Sequence, residues 1–421
     1  MKYLFWSLVI SHWSFLMIFS QPEPGDVFRE YMWYHKDGDA GGALRVGGKE
    51  GTTDWNTRIV GDYWVTDTII LPHDIDLDMA VKAEINVEKI LCHDGTYGLG
   101  IRINNKDWID IPESEYIRHP QSAYQHHIYP TVAIPLDYLK AGTGNSFIMR
   151  VNKHQEWDWP QNLIYGVHIR IYYDPHKKKH IQGRITSPRP GQVIGDSVMV
   201  TVGLQNTTDA VRQIDFIGNY EDVNYEGDGV YRQWHYHFFH GKIIHHLGTV
   251  MHKPYQLNWN TSWMPDQQSP IQIAARVTAD DGIIYFTKAV SNLELVRKNI
   301  SVELCKPYEI PQKWVTRSGE HHELIKITKD VTRAVAYQLL WSSWSPGYMN
   351  GIYINDHRVF DCEGPKYAYY FHRVTLDDTS VLKQGINIVK TGKTPLHEGQ
   401  MVHGMEVNWP GIMVLIRYRE E

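Results

Sequence analysis

Short runs in which apolar and polar residues alternate recur along most of this chain, and they limit the possible folds more than any other feature. Residues 83–87, 198–202 and 271–275 are examples, each bounded by Gly, Pro, Asn or Asp. A period of two residues is typical of strands with one buried face. Sustained helical spacing of apolar residues is nearly absent. The pattern therefore predicts an all-β protein.

Composition narrows the class of protein further. Hydrophobic residues make up 42% of the 421 residues and charged residues 21%, which is typical of globular proteins and excludes disordered, collagen-like and polytopic membrane proteins. The formal net charge of -6 provides no general attraction for phosphate backbones, so we expect no nucleic-acid partner. The 15 Trp, 26 Tyr and 23 His suit strand packing and also surfaces that stack on ligands.

The first twenty residues have the pattern of a signal peptide. Lys2 precedes a long apolar stretch that ends at Ser20, before a polar turn. We expect cleavage near Ser20, a secreted or periplasmic location, and no integral membrane span in the mature chain. An uncleaved anchor is the alternative, because the apolar stretch is long for a signal peptide and marginal for a bilayer.

The cysteines indicate neither a disulfide framework nor a zinc site. Only three are present, and no two have the close spacing of metal-ligand or redox pairs. They are Cys92, Cys305 and Cys362. Whether Cys305 and Cys362 form a disulfide is left open by the sequence.

Two polar linkers divide the chain. One is the basic run at residues 176–180 that leads to a Pro-rich stretch at 187–191, and the other lies around residues 297–299. We therefore predict a signal peptide at 1–20 and three domains, at 21–177, 185–297 and 298–421.

The first and third of these domains resemble each other in sequence. Their matched segments occur in the same order: 101–104 with 352–355, 123–127 with 368–372, 139–145 with 382–387, and 159–172 with 409–418. The spacing also agrees, since Asn104 to Trp159 spans 55 positions and Asn355 to Trp409 spans 54. The agreement predicts two copies of one fold.

The repeated pattern is an Ile-x-Ile-Asn strand end, a His/Tyr segment, a Leu-Lys-x-Gly turn and a closing Ile-Arg strand. It resembles galactose-binding-like jelly rolls, which occur as sugar-binding modules attached to glycoside hydrolases. The resemblance covers residues 55–174 and 314–419. The middle domain, with Trp259, Trp263 and the Pro265-Asp266 turn, resembles bacterial immunoglobulin-like domains, which usually act as spacers. Together they imply two jelly-roll β-sandwiches flanking an immunoglobulin-like β-sandwich.

The matched His/Tyr segments supply the first candidate site residues. Tyr124 and His127 in the first copy correspond to Tyr369 and His372 in the second. Tyrosine with histidine can act as acid and base on a sugar, or can stack and hydrogen-bond. The alternative is a half-buried edge strand whose polar atoms are satisfied by the backbone.

A polar stretch before each Trp-Pro pair supplies further candidates, the tryptophans for ligand binding and the histidine and glutamate for catalysis. They are Trp157 and Trp159 in the first copy, and His403, Glu406 and Trp409 in the second. Aromatic rings cover apolar sugar faces while carboxylates and imidazoles bind hydroxyls. Solvated loop residues are the alternative.

The middle domain contains possible metal ligands. Oxygen-bearing side chains alternate through a Gly-containing turn that could hold calcium, namely Asp222, Asn224, Glu226 and Asp228. An ordinary acidic turn is the alternative, and we expect no required cofactor. His235 and His237 lie on one face of a predicted strand, which would also suit zinc, although no third ligand is indicated.

The sequence thus predicts an exported protein that binds a polysaccharide or oligosaccharide, with one site in each outer domain. The first alternative is a carbohydrate-active enzyme, a polysaccharide lyase, dehydratase or glycoside hydrolase. In it Tyr and His would move protons, and Arg118 or Arg373 would neutralise an acidic sugar. The second alternative is a structural or adhesive surface protein. Whether the protein is an enzyme stays open at this point.

Overall fold

A computed structural model describes residues 21–35, 43–48, 57–91, 96–116, 126–153, 161–205, 210–361, 363–395 and 404–420. The predicted signal peptide lies outside these ranges. Within them, no helix is both long and apolar enough to cross a membrane. Cys305 is buried and forms no disulfide with another described residue, and Cys362 lies outside the described ranges.

The all-β prediction is confirmed, since strands make up 54% of the structure and helices 3%. The described helices are single 3₁₀ turns at Leu136–Tyr138, Val331–Arg333, Pro346–Tyr348 and Thr379–Val381. The N-terminal part forms β1 (Val27–Tyr34), β2 (Leu44–Val46), β3 (Thr57–Val60), β4 (Tyr63–Thr66), β5 (Ile69–Ile70), β6 (Ala80–Leu91), β7 (Gly100–Ile103), β8 (Ile109–Asp110), β9 (His127–Ile128), β10 (Thr131–Ile134), β11 (Ser146–Asn152) and β12 (Asn162–Tyr173).

The middle part forms β13 (Gln182–Ser187), β14 (Val193–Ile194), β15 (Ser197–Gln205), β16 (Val211–Glu221), β17 (Arg232–Trp234), β18 (His237–Phe239), β19 (Lys242–Ile244), β20 (Gly248–Val250), β21 (Gln256–Asn260), β22 (Ile271–Ala279), β23 (Ile283–Phe286) and β24 (Val290–Leu295). The C-terminal part forms β25 (Ile300–Cys305), β26 (His321–Ile327), β27 (Ala334–Trp344), β28 (Asn350–Ile354), β29 (His357–Phe360), β30 (Tyr369–Leu376), β31 (Gly385–Gly392), β32 (Glu406–Val407) and β33 (Met413–Arg419).

Each part buries its own apolar cluster between two layers of strands. In the N-terminal part, strands in the order β10-β6-β12-β1 face β3-β4-β11-β7-β8, and in the C-terminal part β25-β33-β27-β30 faces β26-β31-β28-β29. In the middle part, β13-β15-β21 faces β22 and β16. Alternate residues of β6, Ala83, Ile85 and Val87, are at most 3% exposed, as expected for one face of a strand turned to a core.

Each of the two outer parts contains a hydrogen-bonded pair of asparagines in the same setting. Asn104 Nδ2 donates to Asn145 Oδ1 at 2.7 Å, and Asn355 Nδ2 donates to Asn387 Oδ1, also at 2.7 Å. Asn104 and Asn355 both follow a strand and both adopt a left-handed backbone, with φ of 47° and 49°. Asparagine tolerates this conformation better than most residues. The sequence match at these positions thus corresponds to the same local structure.

The N-terminal and middle parts are joined by a continuous sheet. β1 pairs with β12 on one side and with β23 on the other, so that its backbone hydrogen bonds extend into the middle part. Glu30 on β1 accepts from Arg276 of the middle part and lies 2.9 Å from Arg170 on β12, which also pairs with Glu84. These four side chains are at most 4% exposed.

Candidate functional site

The middle and C-terminal parts meet through an apolar cluster. Its buried members Val223, Val302, Leu340, Met413 and Leu415 are at most 1% exposed. Half-buried aromatic residues, including Tyr225 and Trp263, surround them. Two pockets open beside this cluster, so the junction between the two parts is where the candidate site lies.

The larger pocket, which we name the cleft, has a volume of about 550 Å³. It lies between the middle part and β30 and is lined by Tyr220, Asp222, Tyr225, His245, His246, Leu247, Asn258, Trp259, Asn260, Ser262, Trp263, Met264, Phe371 and Arg373. Asn258, Trp259 and Asn260 end β21. A turn closed by the Met264 amide, which donates to the Thr261 carbonyl at 3.0 Å, then carries Trp263.

Both a basic and an acidic side chain line the cleft. The guanidinium of Arg373 is exposed and donates to the Tyr225 hydroxyl. Asp222 is buried and accepts from the Val223 amide at 2.8 Å. Burial raises the pKa of Asp222 above its usual value, although His235 and Arg373 oppose that shift. The cleft therefore combines aromatic surface with a small number of fixed polar groups.

The smaller pocket, which we name the junction pocket, has a volume of about 170 Å³. All three parts of the chain contribute to it, with lining residues His127, Tyr129, Asn224, Tyr225, Gly227, His237, Phe239, Ile244, His245, Ser342, Tyr369, Tyr370, Phe371, Asn408, Trp409, Pro410 and Met413. Tyr225, His245 and Phe371 line the cleft as well, so the two pockets adjoin.

His127 makes two polar side-chain contacts at the junction pocket. Its Nε2 lies 3.1 Å from the Tyr129 hydroxyl and 3.4 Å from Glu88 Oε1. Burial, with a further contribution from Glu88, raises the pKa of Tyr129 well above its usual value. Tyr129 therefore stays protonated at neutral pH, and its O–H donates to His127 whenever Nε2 carries no proton.

The hairpin of β18 and β19 places two more histidines here. The ring of His237 lies 4.4 Å from Tyr129 and 4.7 Å from His245, measured between ring centres. Burial lowers the pKa of His237 well below its usual value, and burial together with Arg373 lowers the pKa of His245 to about 3. Both imidazoles are therefore neutral at pH 7.

Three of the predicted site residues come together in this one pocket. His127, Tyr369 and Trp409 all line it, whereas the sequence predicted two separate sites. The difference arises because the two outer parts touch each other: the ring of Tyr369 lies 5.2 Å from His127 and packs against a cluster that includes Tyr165. Spacing along the chain carried no information about this contact.

His372 lies in the core of the C-terminal part and lines neither pocket. It is 3% exposed and stacks on Trp341, with ring centres 4.1 Å apart and planes inclined by 7°. Burial lowers its pKa to about 4. Successive side chains of a strand point to opposite faces, so His372 points away from its neighbour Phe371, which lines both pockets.

Strand register explains why the sequence match misplaced this histidine. When Ile169 and Ile416 are taken as equivalent, as in the sequence, the strand pairings make His127 equivalent to Phe371. The predicted match to His372 is therefore displaced by one residue. A displacement of one residue moves a side chain to the other face of the sheet.

The remaining predicted residues are distributed as follows. Arg373 lines the cleft, whereas Glu406 lines neither pocket, is 9% exposed and lies 3.7 Å from Arg317. Five candidates lie outside the described residues, namely Arg118, Tyr124, Trp157, Trp159 and His403.

The predicted calcium ligands form a turn with internal hydrogen bonds. Asp228 Oδ1 accepts from Asn224 Nδ2 at 2.7 Å and from the Val230 amide at 2.9 Å, while Glu226 lies 3.4 Å from His235. Burial lowers the pKa of His235, but the neighbouring Glu226 outweighs this effect and the pKa rises to about 9. Within the described ranges, no group of three or more His, Cys, Asp or Glu is placed to hold a metal ion. Calcium binding at Asp222, Asn224, Glu226 and Asp228 stays a prediction.

Sequence reasoning overlooked the contribution of the middle part. Its resemblance to spacer domains drew attention away from Asn258, Trp259, Asn260 and Trp263, which line the cleft. Two tryptophans and two asparagines within six residues at a strand end are a usable signal for a polar ligand. Tyr129 carried no comparable signal, and Asn408 belonged to the polar stretch before Trp409 without being singled out.

Comparison with known proteins yields no family model and no curated protein that matches the chain. BuGH86, a glycoside hydrolase in complex with neoagarooctaose, is similar over 60% of this chain and 35% of its own length, at 13% identity and a TM-score of 0.23. A DUF4785 family protein from Legionella pneumophila is similar over 96% of this chain and 86% of its own length, at 11% identity and a TM-score of 0.23. Fibronectin(III)-like modules of Clostridium thermocellum CbhA are similar over 47% of this chain and 87% of their own length, at 11% identity and a TM-score of 0.19.

The chain thus spans about a third of the length of BuGH86. TM-scores of this size carry no argument about function.

Proposed function

We propose that the protein binds a carbohydrate chain, a polysaccharide or oligosaccharide, in the cleft. The observation that carries this proposal is the half-buried ring of Trp263, which lines the cleft together with exposed Asn258 and Asn260 and with Trp259, itself only 5% exposed in the core of the middle part. Aromatic rings cover the apolar face of a sugar ring, while amides donate to and accept from its hydroxyls. A volume of about 550 Å³ is in the usual range for ligand pockets.

The position and charge of the cleft support the same proposal. It lies between two domains, where ligand sites commonly occur. Arg373 places an exposed guanidinium at the cleft, which is suited to a carboxylate or sulfate along a sugar chain.

The test is retention of the protein on a panel of immobilised neutral, acidic and sulfated polysaccharides. Trp263→Ala should lower the affinity for the retained glycan by at least about tenfold, since stacking area is lost. Trp108→Ala is the matched control, because Trp108 is also half-buried but lies on the N-terminal part against Arg102 and Arg150. No retention by the wild type would reject the proposal and favour a structural or adhesive role.

A carbohydrate-active enzyme is the second candidate, and one observation favours it. Tyr129 and His127 line the junction pocket with the phenol oxygen 3.1 Å from His127 Nε2, and buried Glu88, which does not line the pocket, lies 3.4 Å from the same nitrogen. Such a set can transfer protons, with Glu88 stabilising a proton on His127. Mass spectrometry of the incubated glycan tests it: new products that Tyr129→Phe abolishes, with binding retained, would support an enzyme. Unchanged glycan with the wild type would oppose it.

We also propose that the protein acts outside the cytoplasm, on the basis of residues 1–20 alone. The mass of the mature protein in its native cell is the test. A chain that begins near Gln21 would support export, and one that retains Lys2 would oppose cleavage.

A further inference from the structure

Two buried side chains of the junction pocket have hydrogen-bonding atoms without a partner among the described residues. Both amide atoms of Asn408 lack one, and so does Nδ1 of His237. Asn408 is 1% exposed and His237 is 6% exposed. A buried polar atom with no partner is costly and rare, so its retention requires an explanation.

The backbone holds both side chains in place at the pocket. The amide of Asn408 donates to the Ser342 carbonyl at 3.0 Å, and its carbonyl accepts from the Gly411 amide at 2.9 Å. His237 is paired with Ile244 in the β18–β19 hairpin. These atoms are therefore preorganised for a group that enters the pocket.

The chemistry of the wall indicates what that group is. No Lys, Arg, Asp or Glu occurs among the described residues that line the junction pocket. The polar groups that do line it are amides, imidazoles, phenols, one indole and one serine hydroxyl. These groups match hydroxyls, whereas a buried carboxylate or sulfate without a cation is strongly disfavoured.

The size of the pocket limits its occupant. A volume of about 170 Å³ corresponds to about six water molecules, which is the space of one sugar ring. The pocket continues into the cleft along Tyr225, His245 and Phe371. One unit of a chain bound in the cleft can therefore enter it.

We propose that the junction pocket binds one uncharged, hydroxyl-bearing sugar unit of a carbohydrate chain whose remainder lies in the cleft, through hydrogen bonds to Asn408 and His237. This inference rests on the proposed carbohydrate-binding function. It assigns the two pockets different preferences: the cleft, with Arg373, accepts charged units, and the junction pocket selects a neutral one.

The experiment is calorimetric titration of the full-length mature protein with two sets of oligosaccharides of equal length. The neutral set is cello-, xylo- and manno-oligosaccharides, and the acidic set is oligogalacturonate and oligoalginate. Asn408→Leu should lower affinity for the best neutral ligand by at least about tenfold. Its thermal unfolding midpoint should not fall, because the deleted amide has no protein partner to lose.

Two further variants keep the test decisive. His237→Phe retains the ring but removes the nitrogens, and it should weaken neutral ligands in the same way even if Asn408→Leu folds poorly. Gln338→Leu is the control, because it removes a buried amide from β27 outside both pockets and should leave affinity unchanged.

The outcomes separate this inference from the function on which it rests. If Trp263→Ala abolishes binding while Asn408→Leu and His237→Phe do not change it, the carbohydrate site stands and the junction-pocket inference is wrong. Equal or tighter binding of the fully acidic set would also overturn it. If no oligosaccharide binds the wild type, both proposals fail.

Discussion

Toward the N-terminal part, the middle part continues a sheet through β1 and buries ion pairs around Glu30, whereas toward the C-terminal part it presents an apolar cluster beside two pockets. The charged groups at the first junction are matched to each other. Atoms without a partner among the described residues occur at both junctions, but Arg276 Nε and Glu84 Oε2 at the first line neither pocket, whereas those of Asn408 and His237 at the second line one. The contrast indicates that one junction fixes geometry and the other is available for a ligand.

The same contrast appears at matched positions of the two outer parts. Arg170 and Arg417 are equivalent in the sequence, yet Arg170 is 4% exposed and pairs with Glu30 and Glu84. Arg417 is half-buried and lies 3.7 Å from Asp196 of the middle part. Two outer parts with the same turn geometry therefore make different kinds of junction.

The largest expected effect comes from breaking the N-terminal junction. Glu30→Gln leaves Arg170 and Arg276 without their shared carboxylate and should lower the free energy of unfolding by about 4 kcal/mol, measured by urea denaturation. Asp67→Asn is the control, because its pair with Arg58 is exposed and should contribute less than about 1 kcal/mol. Equal effects of the two changes would contradict the assigned difference.

Acid should weaken the C-terminal core through His372. Its folded pKa of about 4 lies below the ordinary value of 6.5, so between these values the unfolded chain binds more protons and stability falls as pH falls. His372→Phe should remove about 3 kcal/mol of the loss between pH 7 and about pH 4. Denaturation of both proteins at the two pH values measures it. An unchanged pH dependence would be the contrary result.

The asparagine pairs allow a direct comparison of the two copies. Asn145→Ala and Asn387→Ala each remove a buried amide that bonds to the turn before it and to its partner asparagine. Each change should lower the free energy of unfolding by about 2 kcal/mol. Agreement between the two losses within about 1 kcal/mol would support equivalent roles, and tolerance in one copy alone would argue against them.

The smallest expected effect is at the surface of the C-terminal junction. Glu221 lies 2.8 Å from Lys306, but both side chains are partly exposed. Glu221→Gln should therefore change the free energy of unfolding by less than about 1 kcal/mol in the same denaturation assay. A loss as large as that of Glu30→Gln would remove the distinction between the two junctions.

The elements with clear local signals could be predicted from the sequence. Alternation identified strands such as β6, β15 and β22, and the repeated asparagines marked turns that prove to have the same hydrogen bonds. Strands of this kind are recognised by a period that the local chain alone determines.

The site could be predicted only in part, because it depends on contacts between distant segments. His127, Tyr369 and Trp409 were identified individually, but their convergence requires the packing of all three parts of the chain. His372 was misplaced because a shift of one residue reverses the face of a strand. Glu30 is one acidic residue within a strand, and no local pattern marks it as buried.

The position of β1 has a consequence for how the chain is made. β1 is the first strand among the described residues, yet its partner β23 begins at Ile283, 249 positions after Tyr34. Until those residues leave the ribosome, one edge of β1 has no neighbour, and Phe28, which is 0% exposed in the finished fold and packs mainly among side chains of the middle part, remains uncovered. Unpaired edges of this kind promote self-association. A chain truncated before β23 is therefore expected to aggregate, so that the N-terminal copy cannot be excised as an independent module.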